Sequence, residues 1–314
     1  MKTIIPLLAN DTSDDAEKKR RTLQAAMPEY DIRLHPDMPA EDRLISELAI
    51  VENPSAEVLD AYPNLKWVHS LWAGVEKVLD AFSSRDIKVV RMTDPELAHT
   101  MAEAVLAWTM YLHREMPLYR AQQAASQWHQ QAYVRPEDRH ITFLGMGKLG
   151  AAAADALRQR GFPVSGWSRT AKSIHGVDMY HGDAGLNTCL GKADILILLL
   201  PLTGETRGLL NARTLAMMRP QTQVINFARG PIIKDDDLLD ALDRGHIRHA
   251  VLDVFATEPL PAEHPYWHHP SVTALPHISA PTNMETASVI VADNIRSYDA
   301  TGLIPAHVDP QSGY

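Results

Sequence analysis

Short apolar runs recur along the chain, most of them followed by a longer stretch with a polar face. Ile4–Leu8, Leu48–Val51, Trp67–Leu71 and Val89–Met92 predict strands, and Asp14–Met27 predicts a polar-faced helix. Glu96 to Arg120 contains no glycine, and Pro117 enters late. The apolar positions Ala104, Val105, Ala107, Trp108 and Leu112 predict one long buried or interface helix there. Gln122–Arg139 is polar with Trp128 and Tyr133 interleaved, and is expected to form a loop or arm linking two domains.

From His140 the alternation tightens. Ile141–Leu144 predicts a short buried strand, followed by Gly145-Met146-Gly147-Lys148-Leu149-Gly150. Ala151–Arg160 predicts a helix, with Gly161 just past its end as helix C-termini favour. Pro163–Trp167, Ile195–Leu200, Val224–Phe227, Ala250–Val254 and Val272–Ala274 supply further strands. Asp235-Asp236-Asp237 opens a helix running to Arg244, where carboxylates suit the positive end of the helix dipole. A last helix, Glu285–Ala300, is expected to pack back on the first domain. Strand–helix alternation of this kind implies an α/β fold with parallel, doubly wound sheets.

At 314 residues the chain has a natural length for two domains, and its 45% hydrophobic content suffices for two cores. The net charge of −9 argues against nucleic acid or an anionic membrane surface as the main partner. A small anionic substrate then needs a local cation, and Arg229 is a candidate. The single cysteine, Cys189, cannot form an intrachain disulfide and sits among apolar residues, as a small buried hydrophobe does. The first apolar run is short, is interrupted by Pro6 and is followed by Asn10-Asp11, so it reads as a strand and not a signal peptide. Ile195–Leu200 is far shorter than the roughly 20 residues that span a bilayer. A soluble, cytoplasmic protein is expected.

The glycine turn stands between a strand and a helix, the context in which G-x-G-x-x-G signals a bound dinucleotide. Gly145 permits the tight turn, Gly147 a close approach to a pyrophosphate, and Gly150 close packing of helix on strand. An NAD site has an acid at the end of the second strand, roughly 20 residues on. Here that strand ends Trp167-Ser168-Arg169-Thr170. Arg169 can grip a 2′-phosphate that a carboxylate would repel, with Ser168 and Thr170 as further donors, so NADP is the expected cofactor.

Three later strands each end on a polar residue. Asn226-Phe227-Ala228-Arg229-Gly230 offers Arg229, Asp253 to Pro259 offers Glu258, and Leu275-Pro276-His277 offers His277. Ligands in open α/β sheets bind beyond the carboxyl ends of the strands, so a guanidinium, a carboxylate and an imidazole can converge there. Together they can hold an anion and move a proton beside it. His264, His268 and His269 lie in a Pro-rich loop without regular ligand spacing, so no metal is expected.

In these motifs the chain resembles the D-isomer-specific 2-hydroxyacid dehydrogenases. The match comprises Gly145–Gly150, Asn226-x-Ala228-Arg229-Gly230, Asp253-Val254-Phe255-x-x-Glu258-Pro259-Leu260-Pro261 and Pro276-His277, in order, from the Ala73-Gly74-Val75 turn to the tail. Trp167–Thr170, Gly161-Phe162-Pro163 and the terminal Gly313-Tyr314 are most similar to the NADP-dependent glyoxylate/hydroxypyruvate reductase A group. The resemblance implies a coenzyme domain, 105–284, inserted into a discontinuous substrate domain formed by 1–104 and 285–314. It implies His277 as general acid, Glu258 as its orienting partner and Arg229 as the group that binds and polarises a 2-keto acid. Backbone amides near Ala73 and Gly74 would hold the substrate carboxylate, with Trp72 beside them. Cofactor contacts are implied at Gly145, Met146, Gly147, Lys148, Leu149, Gly150, Trp167, Ser168, Arg169, Thr170, Leu200, Pro201, Leu202, Thr206, Ala228 and Asp253. Members are usually homodimers built on the region near 100–135, and in related enzymes a Trp from the partner subunit can approach the pocket, which makes Trp128 a candidate.

Two positions depart from the family pattern. Trp72 stands where a small residue is expected; it either narrows the pocket toward two- and three-carbon acids or packs under the loop. Leu275 replaces a frequent Thr and is expected to face the sheet. Alternatives to NADPH-dependent reduction of glyoxylate and hydroxypyruvate are a family member acting on larger 2-keto acids, phosphite or formate, and a nucleotide-sensing corepressor-like binding protein. The chain lacks the long disordered tails or basic patch that such a corepressor uses.

Overall fold

A computed structural model of the protein describes residues 2–9, 14–83 and 85–309. Asn10-Asp11 and the terminal Gly313-Tyr314 lie outside the described residues. The chain divides into two compact units, one formed by Met1–Glu96 with Thr282–Tyr314 and the other by Leu97–Pro281. These divisions fall eight and three residues before the boundaries expected at 104/105 and 284/285, at the start of the helix that begins at Pro95 and just before the last helix.

The first unit holds a parallel sheet of five strands in the order β2-β1-β3-β4-β5, with β1 Ile4–Leu8, β2 Asp31–Leu34, β3 Leu48–Val51, β4 Trp67–Ser70 and β5 Lys88–Val90. The last helix, Met284–Thr301, belongs to this unit: Ala287, Val291, Ala292 and Ile295 pack with Leu23, Met27 and Trp67 in one core. The expected return of the tail to the first unit is therefore observed. Asn294 Nδ2 also donates to Nε2 of the buried His69 at 2.9 Å, while His69 Nδ1 donates to the Ser70 carbonyl. Burial holds that imidazole near a pKa of about 4, so it is the neutral tautomer with the proton on Nδ1.

The second unit holds seven parallel strands in the order β12-β11-β10-β9-β6-β7-β8. They are β6 Ile141–Leu144, β7 Val164–Ser168, β8 Asp178–His181, β9 Ile195–Leu198, β10 Thr222–Asn226, β11 Ile247–Leu252 and β12 Val272–Ala274. The central strands β6 and β9 are buried at every residue, as in sheets covered on both faces, and Thr142 is their one polar side chain. The order reverses between β9 and β6, the switch point at which doubly wound sheets bind their ligands. Leu275 packs half-buried against the core that includes Phe143 and Ile225, as expected for a residue facing the sheet.

The long helix expected over 96–120 is two helices, Pro95–His113 and Met116–Ala124. Glu115 between them is left-handed, with φ 59°. Pro117 cannot continue the first helix because its ring excludes the preceding turn. The break is held by ion pairs from Glu115 to Arg139 at 3.2 Å and to Arg248 at 2.7 Å, with the carboxylate largely buried. The polar arm expected from Gln122 begins only after that second helix; there Trp128 is fully exposed and Tyr133 largely so.

Candidate active site

The glycine turn leaves β6 and enters the helix Lys148–Arg158. Gly145 has φ +103°, and a Cβ there would meet the Leu199 carbonyl oxygen at 2.5 Å. A Cβ on Gly150 would meet the Gly145 oxygen at 2.1 Å, whereas one on Gly147 would meet nothing within 4 Å. The three glycines therefore divide the work: a turn, a helix seated on its strand, and open space at the helix N-terminus. Such an opening, lined by unpaired backbone N–H groups, fits a pyrophosphate.

The remaining candidate cofactor residues follow the same edge. Trp167 and Ser168 end β7, Leu200 follows β9, Ala228 follows β10 and Asp253 follows β11, so together with the glycine turn after β6 they border five adjacent strands. Not every polar atom among them is available to a ligand. The Ser168 hydroxyl donates to the Thr170 carbonyl at 2.8 Å, and the Thr206 hydroxyl donates to the Pro201 carbonyl at 2.7 Å. Both side chains shape their loops, which sequence alone does not reveal. Arg169 is half-exposed and lies 3.4 Å from Glu205 in a surface ion pair, a weak attachment that a phosphate can displace.

Arg229, Glu258 and His277 come after β10, β11 and β12, three neighbouring strands. His277 Nδ1 lies 2.9 Å from Glu258 Oε2, and Glu258 Oε1 accepts from the Phe255 amide at 2.9 Å. The carboxylate thus has one oxygen anchored to backbone and one on the imidazole. The hydrogen bond to Glu258 raises the His277 pKa above its ordinary range, against desolvation and the Arg229 charge, which lower it. With Nδ1 on Glu258, Nε2 is the ring nitrogen that can offer a proton elsewhere.

His277 sits at φ 54°, in the left-handed region that non-glycine residues rarely adopt. Asp253 accounts for its persistence. Its buried carboxylate accepts the Ile278 amide at 2.8 Å on one oxygen and the Ser279 amide at 2.9 Å on the other. Asn226 does the same for Arg229: its side chain accepts from the Ala228 amide and donates to the Arg229 carbonyl, both at 3.1 Å. Gly230 closes the arrangement, since a Cβ there would stand 1.9 Å from the Phe255 carbonyl carbon. The segments bearing Arg229 and Glu258 touch through bare backbone at this point. Sequence reasoning missed the supporting roles of Asn226 and Asp253, although both lie inside the motifs that marked the site.

Comparison with known proteins supplies the rest. Residues 106–279 match the family model described as D-isomer specific 2-hydroxyacid dehydrogenase, NAD binding domain. The chain belongs to the D-isomer specific 2-hydroxyacid dehydrogenase family. Among such dehydrogenases it is 35% identical over 306 residues to glyoxylate/hydroxypyruvate reductase A of Photorhabdus laumondii, covering 96% of this chain and 97% of the relative. A crystal structure of a D-isomer specific 2-hydroxyacid dehydrogenase from Xanthobacter autotrophicus Py2, in complex with NADPH and MES, superposes with a TM-score of 0.91 at 35% identity over the full length of both chains. The NADPH-dependent glyoxylate/hydroxypyruvate reductase of Sinorhizobium meliloti, in complex with NADP and sulfate, gives 0.91 at 32% identity, again over both full chains.

The other reactive side chains of this dehydrogenase have local explanations. Burial pushes the Cys189 thiol up to about 12, so it is no thiolate nucleophile. His264 accepts from the Tyr266 amide, and His269 lies 3.2 Å from Asp243. Trp72, Ala73 and Gly74 belong to the first unit, just beyond β4.

Proposed function

We propose that the protein is an NADPH-dependent reductase of small 2-keto acids, converting glyoxylate to glycolate and hydroxypyruvate to D-glycerate. The observation that carries this reading is the His277–Glu258 pair at 2.9 Å in a chain related over its whole length to enzymes named for those reactions.

Gly145–Gly150 would hold the pyrophosphate of NADPH and Arg169 its 2′-phosphate, and the bound cofactor would supply a hydride for C2. Backbone amides near Ala73 and Gly74 bind the substrate carboxylate, with Trp72 at their side. Arg229 directs its guanidinium at the keto oxygen and polarises it, stabilising the charge that develops there. His277 donates its Nε2 proton to that oxygen, and Glu258 holds the imidazole and balances its charge. One proton and one hydride enter, and the 2-hydroxy acid leaves.

The proton donor sets the pH dependence. Reduction needs protonated His277, so the rate is full at low pH and falls as pH rises through the folded-state pKa, above the ordinary value of about 6.5. Glu258→Gln weakens the hydrogen bond and removes the charge that raise it, so the alkaline limb of the kcat profile moves to lower pH. An unmoved limb places the titration elsewhere.

The activity itself is tested by oxidation of NADPH and of NADH with both substrates. Faster turnover with NADPH on glyoxylate and hydroxypyruvate is expected, and Arg169→Asp shifts the preference toward NADH by about tenfold or more. Preference for NADH in the unaltered enzyme, or no turnover with either acid, refutes the reading. The same reading makes the protein a cytoplasmic homodimer. The exposed Met116, Trp128 and Tyr133, all within the region near 100–135, support an interface there, and no described helix is long and apolar enough to cross a membrane.

A further inference from the structure

Trp72 lies two residues past the end of β4, immediately before Ala73 and Gly74. Its backbone is pinned on both sides: the amide donates to Ser70 Oγ at 3.0 Å and the carbonyl accepts from the Met92 amide at 3.1 Å. The preceding residue is fixed as well, Leu71 donating to the Val51 carbonyl at 3.0 Å. The indole is half-buried, and the Lys19 ammonium stands over it, 5.4 Å from the ring centroid. A cation at this distance is held by the ring quadrupole. Lys19 is itself anchored, paired with Asp15 at 2.6 Å and with Glu52, which directly follows β3. Only 13% of its side chain is exposed. With two carboxylates answering its charge, Lys19 is a prop for the ring, not an anion-binding group.

We propose that Trp72, braced by Lys19, is the residue that limits this enzyme to 2-keto acids with little or nothing beyond C3, an inference that rests on the reductase reading above. In that reading the substrate carboxylate is bound by the amides of the next two residues. The neighbouring indole is then a rigid wall on the side of the turn, where a small residue would leave space. Glyoxylate and hydroxypyruvate fit against such a wall, and branched or aromatic side chains do not. The ring cannot turn aside without breaking the Lys19 contact, and its backbone is tied to Ser70 at the end of β4 and to Met92, two residues past β5. The brace makes the exclusion steric and fixed.

The test measures kcat/KM with NADPH for glyoxylate, hydroxypyruvate, 2-ketoisocaproate and phenylpyruvate in the unaltered enzyme, Trp72→Ala, Trp72→Phe and Lys19→Met, with NADPH Kd and Tm alongside. In Trp72→Ala the ratio of phenylpyruvate to glyoxylate efficiency rises by about tenfold or more. Trp72→Phe and Lys19→Met raise it less, in the same direction, because one shrinks the wall and the other frees it. An unchanged ratio in Trp72→Ala, at unchanged NADPH Kd and Tm, overturns the inference while leaving the reductase reading intact. Should Trp72→Ala fail to fold, the other two variants decide: a raised ratio supports the wall, and an unchanged ratio in both overturns it. An unaltered enzyme as efficient on phenylpyruvate as on glyoxylate also overturns the inference alone. One that reduces none of the acids overturns the reductase reading and the inference with it.

Discussion

Replacing His277 with alanine lowers kcat by about 10²- to 10⁴-fold, the usual contribution of a positioned general acid, with NADPH Kd nearly unchanged. The separation follows from where the residue stands. His277 comes after β12 at one end of the sheet, while the glycine turn follows β6, beyond β11, β10 and β9. Its imidazole partners Glu258, and its loop is held by Asp253 through the amides of the two residues after it. Removing the side chain leaves that backbone clamp in place, so the fold and the glycine turn survive. Steady-state kinetics with a fluorescence titration of NADPH reads both quantities. A loss confined to cofactor affinity would show that His277 is not the proton donor.

Arg229→Ala is expected to raise KM and lower kcat together, reducing kcat/KM by about 10²- to 10³-fold, because in the proposed mechanism one guanidinium both binds the acid and stabilises developing charge. One of its N–H groups already donates to the Ala228 carbonyl at 2.6 Å, which orients the side chain. Lysine offers a charge without the planar fork, so Arg229→Lys recovers only part of the loss. A rise in KM with kcat intact would restrict Arg229 to binding.

Much of the architecture is legible in the residues. Ile4–Leu8, Leu48–Val51, Ile141–Leu144 and Val272–Ala274 are strands with the bounds their apolar runs predict. β2, Asp31–Leu34, and β8, Asp178–His181, escaped notice because charged and polar residues interrupt their apolar pattern at the edges of their sheets. The split of the long helix was harder still, since Pro117 signals an interruption but not the two arginines that hold Glu115 in a left-handed turn. The Ser168 hydroxyl, a candidate phosphate donor in sequence, donates to its own loop, and so does that of Thr206, a cofactor contact implied by the family resemblance.

By itself the sequence determined the α/β alternation, the glycine turn and the polar residues at the strand ends. Each depends on local properties: periodicity, the φ that only glycine tolerates easily, and the position where an apolar run stops. The tertiary structure decided which residues became partners. Glu258 meets His277 across 19 positions, Asp253 clamps Ile278 and Ser279 across 25 and 26, and Gly230 admits the Phe255 backbone. Lys19 reaches Trp72 in the same way, from a helix far away in the chain. Such contacts arise only when parallel strands distant in sequence lie side by side, and no local pattern records that order.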